Sequence, residues 1–165
     1  MSGKLLGGML LLAAGTALGC LRAERYAAEV RRIRLLRALV SAMITALRGT
    51  LPLVSELLRE TAAMPQFQPL RFLQDAAAHA DCFPACWEEA LSRDNTLTEP
   101  ERAVMETVGQ TLGSTALEGQ VAALSLCAER LAALSAEVEP AAKQKGTLCR
   151  SMGVLGSLFL VILLL

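Results

Sequence analysis

Two apolar runs bracket this chain. Leu5 to Leu21 is seventeen residues without a charge, and Ser151 to Leu165 is likewise uncharged, ending "GSLFLVILLL". As helices they extend roughly 25 and 22 Å at 1.5 Å per residue, the short end of a membrane crossing. A helix lined on every side by Leu, Phe, Val and Ile favours lipid over water. Between the runs the pattern turns amphipathic. Val30, Ile33, Leu36, Val40, Ile44 and Leu47 recur at three- and four-residue steps. The first run is therefore expected to continue as one helix to about Gly49.

Thr50 is the expected cap of a second helix, with Pro52 in its first turn and Leu53, Val54, Leu57 and Leu58 inside, stopping before Pro65. Pro65, Pro69 and Pro84 divide the next stretch into short helices. Leu70, Phe72 and Leu73 begin one; Pro84, Trp87, Ala90 and Leu91 fit another, closed by Asn95. "TEPE" at Thr98 to Glu101 reads as a capping box with proline in the first turn. Val104, Met105, Val108 and Leu112 form that helix's apolar face, and Gly113 is placed to end it. Thr115 and Glu118 suggest a further box. After it Leu117, Val121, Leu124, Ala128, Leu131, Ser135 and Val138 alternate steps of four and three, a seam for packing along another long helix. Pro140 should kink or break this last helix before Lys143.

The predicted architecture is all-α. A transmembrane helix at 1–21 and another at 151–165 flank a helical bundle at 22–150. Composition agrees: 53% of the 165 residues are hydrophobic and only 4% aromatic, so Leu and Ala, both helix formers, supply the apolar content.

The net charge is zero, which points to neither nucleic acid nor an acidic substrate, but its distribution fixes an expected orientation. Six arginines (22, 25, 31, 32, 34 and 37) follow the first span, against Lys4 before it. Lys143, Lys145 and Arg150 precede the second span, and nothing follows it. Both basic flanks face the middle segment, which places it in the cytoplasm and both ends outside. The pair Gly19–Cys20 admits an alternative, an export signal cut before a lipidated cysteine. That signal would carry its basic residues ahead of the apolar run, the reverse of what is found. Five cysteines without framework spacing fit reduced thiols better than a disulfide scaffold.

Candidate chemistry is sparse. "HADCFPAC" brings together His79, Cys82 and Cys86, an alternative zinc or thiol site. It offers three ligands with no fourth nearby, and small buried thiols beside a core Trp87 account for it. One histidine supports no triad. Glu88–Glu89 and Glu99/Glu101 stand at helix starts, where the macrodipole favours acids. No glycine loop for phosphate is present. The reading is a non-enzyme with no cofactor, no metal, no nucleic acid and no small-molecule substrate. Gly15, Gly19, Gly153 and Ser157 are expected contact points between membrane helices. Arg31, Arg32, Arg34 and Arg37 are expected to meet anionic lipid headgroups or an acidic partner.

The stretches "KLLGGMLLLAAGTALG", "AERYAAEVRRIRLLRALVSAMITALRGTLPLVSELL", "CWEEAL", "VMETVGQTLGSTALEGQ" and "KGTLCRSMGVLGSLFLVILLL" together resemble the stage III sporulation protein AB family of spore-forming Firmicutes, in order and spacing over nearly the whole chain. None of them is a catalytic signature. The resemblance implies a mother-cell protein in the outer membrane around the forespore, part of a channel-like complex. It implies a bundle similar to the platform proteins of type II secretion and type IV pilus machines. The implied role is to couple a cytoplasmic ATPase of that complex to its membrane ring components.

Overall fold

A computed structural model describes the backbone of residues 2–114 and 116–164. Side chains are described for 24–114 and 116–144, together with Ala17, Leu21, Thr147 and Ser151. The described residues form helices and no strand. In order these are α1 (Ser2–Gly49), α2 (Val54–Ala63), a 3-10 turn (Pro65–Phe67), α3 (Arg71–Ala78), a second 3-10 turn (Ala80–Cys82), α4 (Ala85–Arg93), α5 (Glu99–Thr111) and α6 (Leu117–Leu164). The all-α expectation holds. Among the described residues no helix is long and apolar enough to cross a membrane. Most side chains of the two apolar runs expected to do so lie outside the described residues.

The chain divides into two compact units. One comprises Met1–Arg32 with Ser135–Leu165, and the other Ile33–Leu134. In the first, Lys143 pairs with Glu139 one turn earlier on α6, at 3.3 Å. Pro140 stands inside α6, and the helix continues past it, so of the kink or break expected there the break does not occur. A proline ring costs a helix one backbone hydrogen bond, here the one to the Ala136 carbonyl. Both residues are exposed, which leaves that carbonyl open to water.

The second unit holds the core. From α1 it takes Ile33, Leu36, Leu39, Val40, Met43 and Leu47. Leu39 and Met43 lie outside the stripe expected from the sequence, yet both are fully buried, while Ile44 is only half-buried. The buried face of α1 is thus wider than a single stripe. The α6 seam enters through Val121, Leu124 and Leu131, with Cys127 beside them. At the centre Trp87 meets Phe72 edge-on, with centroids 5.4 Å apart and planes at 87°, the favoured arrangement for two aromatic quadrupoles. The indole N–H donates to the Met105 carbonyl at 2.8 Å, joining α4 to α5.

Helix ends explain two further departures. Thr50 does not cap α2. Its N–H bonds back to the Ala46 carbonyl at 3.0 Å, so it closes α1 instead. Leu51 then turns the chain at φ +49°, and α2 starts only at Val54, where the Glu56 carboxylate accepts the Leu53 N–H at 3.3 Å. At the other end of the short helices, Asp94 rather than Asn95 terminates α4. Its Oδ1 accepts both the N–H and the hydroxyl of Thr96, at 2.8 and 2.6 Å, an Asx turn. The box at Thr98 is present, with the Thr98 N–H on the Glu101 carboxylate at 2.7 Å. Gly113 leaves α5 at φ +76°, as expected of a helix-ending glycine. Thr115, the expected start of the next box, lies outside the described residues.

Candidate functional site

Three surface features of the 33–134 unit bear on function. The first is a hollow of about 310 Å³ between α3 and α4, bordered by Asp75, His79, Cys86, Glu89 and Arg93. Two of its polar side chains pair with each other and a third leans on the backbone. Arg93 pairs with Glu89, and a ring nitrogen of His79 lies 3.3 Å from the Asp75 carbonyl oxygen. Cys86 is buried, and burial, then the neighbouring Cys82, pushes its thiol above the ordinary value. A raised thiol value lowers the thiolate fraction and with it the nucleophilicity of Cys86. Cys82 itself is exposed, contrary to the expectation that both cysteines are buried beside Trp87. Among the described residues no group of three His, Cys, Asp or Glu side chains is placed to hold a metal ion.

The second feature is the outer face of α1. Arg31, Arg34 and Arg37 are exposed and Arg32 is half-buried. Arg31 and Arg32 fall in one compact unit, Arg34 and Arg37 in the other. Within the 33–134 unit the basic face runs on to Arg48, also exposed, which the sequence reading left out of the site. Its 3.6-residue periodicity with Arg37 was the available signal. Gly15, Gly19, Gly153 and Ser157 stand on α1 and α6, and their side-chain environments lie outside the described residues.

The third feature is the α1–α2 turn. Leu51 and Leu53 are 64% and 69% exposed, and the turn is tied at both sides by the Thr50 and Leu53 hydrogen bonds. A fixed turn displaying two leucines is suited to contact with another surface. No sequence pattern marked it: Leu53 read as the start of a buried helix face, and Leu51 belonged to no face.

Relatives of the chain give these features their context. No solved structure matches it. It is similar to the stage III sporulation protein AB of Bacillus subtilis (strain 168), 28% identical over 169 residues, covering 98% of this chain and 99% of the relative. The family model described as Stage III sporulation protein AB matches residues 4–165, both apolar ends included. The chain therefore belongs to the stage III sporulation protein AB family, and its role lies in sporulation.

Proposed function

We propose that this protein is a non-catalytic platform subunit anchored in the mother-cell membrane around the forespore, its helical unit in the mother-cell cytoplasm. There it couples a cytoplasmic ATPase to the membrane components of a secretion-like channel complex. The observation that carries the reading is the extent of the family match, which takes in both apolar runs and the helical unit as one design. The apolar runs supply two membrane helices, and the arginines and lysines that face inward from both hold the middle in the cytoplasm. A helical unit with a closed core and outward-facing basic and apolar patches supports a part that binds other proteins.

Topology can be tested with a variant whose only cysteine is Cys82, the exposed thiol of the unit. A membrane-impermeant thiol reagent should label it after lysis of the mother cell and not before; labelling of intact cells would reject the cytoplasmic placement. The coupling role is tested separately, by co-purification from sporulating cells. A tagged chain should bring down the ATPase only when the membrane subunits are present or pre-assembled. Recovery of neither would reject the adaptor role.

A further inference from the structure

Charge within the 33–134 unit is segregated. From Ile33 to Gly49 there are three arginines and no acid, whereas residues 50–134 hold five arginines and twelve acids. Most of those five arginines are occupied. Arg59 grips Asp81 through both carboxylate oxygens at 2.8 Å, and Arg93 pairs with Glu89. Arg102 turns inward to the carbonyls of Leu91 and Asp94. Because Arg102 is the only base on α5, the outward face of that helix is left with acids of one sign. That face is Glu99, Ala103, Glu106 and Gln110, all exposed and set at helical spacing. The outward face of α1 is its opposite. Arg37, Ala38, Ser41, Thr45 and Arg48 are exposed at the same kind of spacing. The Ser41 and Thr45 hydroxyls bond back to carbonyls of their own helix, at 3.0 and 2.9 Å. Among the described residues Arg37, Arg48, Glu99 and Glu106 make no ion pair within the chain.

From this arrangement we infer that the basic outer face of α1 on one copy of this chain docks on the acidic outer face of α5 on a second copy. Each face is small in its middle, at Ala38 and Ser41 on one helix and Ala103 on the other, so two helices can approach closely while their charged ends meet. The charges lie roughly 16 Å apart on α1 and 10 Å apart on α5, at 1.5 Å per residue, and long arginine side chains bridge the difference. The contact is heterologous: each copy keeps one free face of each sign, so association continues into a ring or a row rather than stopping at a pair. One helix face on another is smaller than the roughly 800 Å² per partner of a standard stable interface. The association is therefore weak in dilute solution, sensitive to salt, and strengthened where copies are held at high local concentration. It does not depend on which protein the platform binds.

Sedimentation of the full-length chain in neutral detergent tests this, with a fluorescent copy as tracer. Reversible association is expected at low salt and is lost at high salt. R37E/R48E and E99K/E106K should each weaken it at least tenfold, and mixing the two variants should restore association between them. Neutral R37Q/R48Q should fall in between, and helical circular dichroism should be unchanged in all three variants. A chain that stays monomeric at low salt would overturn the proposal. So would association that survives both reversals, or reversals that abolish binding to anionic phosphatidylglycerol vesicles while leaving self-association intact.

Discussion

The indole of Trp87 lies directly against Gly109. A Cβ at that glycine would stand 2.7 Å from the indole nitrogen and closer still to Cδ1, on the same stretch of α5 that accepts the indole hydrogen bond through the Met105 carbonyl. The tryptophan reaches its acceptor only because position 109 has no side chain. A fully buried indole ring cannot shift to make room.

Gly109→Ala should therefore destabilise the unit by about 1–3 kcal/mol, the usual cost of overpacking a core, although alanine is the better helix former. Thermal or urea unfolding of the full chain in detergent measures it. Pairing the change with Trp87→Phe, which frees space at the glycine, should recover part of the loss.

Leu51 and Gly113 both sit at positive φ, +49° and +76°, but only one is a glycine. Leu51 is largely exposed, so Leu51→Gly removes little burial and relieves a conformation costing about 1–2 kcal/mol in an L-residue. Its unfolding midpoint should hold or rise, net of the added freedom of the unfolded chain. Gly113→Ala imposes that strain and should lower the midpoint.

Pro140 lies inside α6 and leaves the Ala136 carbonyl without its helical donor. Pro140→Ala should raise helix stability by up to about 3 kcal/mol, seen as slower amide exchange around residues 136–144. Unchanged exchange there would mean that the proline costs this helix nothing.

Three described cysteines should separate by reactivity. Cys82 is exposed, while Cys86 and Cys127 are buried. Burial raises both buried thiols above the ordinary 9.0, with Cys82 adding to the rise at Cys86 and Arg130 opposing it at Cys127. Iodoacetamide should modify Cys82 first and the other two only on unfolding. Because both folded values are raised, the stability these thiols contribute is fully present below pH 9 and is lost as pH rises through the raised values. Cys86→Ala/Cys127→Ala should flatten that alkaline limb in a pH series of unfolding midpoints.

What could be read from the sequence follows from periodicity and punctuation. Thr98-x-x-Glu101, Gly113 and the steps of Leu36, Val40 and Leu47 each state a local rule, and the structure obeys them. The failures share a cause. Thr50 can cap a helix or close one, and only the Ala46 carbonyl within reach decides which. Leu39 and Met43 look surplus to an amphipathic stripe until the shared core cluster they join is assembled. Leu51 and Leu53 carry no mark that tells an exposed leucine from a buried one. The exposure of Arg34 and Arg37 could be read from their spacing and sign. Arg48 carried the same periodicity but stands about three turns past Arg37, beyond the run of closely spaced arginines, and the acidic face of α5 was hidden by an Arg102 that only the fold turns inward.

That inward turn also governs how the bundle opens. The guanidinium of Arg102 holds the Leu91 and Asp94 carbonyls together, so the frayed end that a nine-residue helix normally shows is fastened by its neighbour. Amides in the last turn of α4 should exchange with solvent on the same clock as those of α5, and the two helices should unfold as one foldon. A load applied to α5 would then reach the tryptophan-bearing helix without delay or slack.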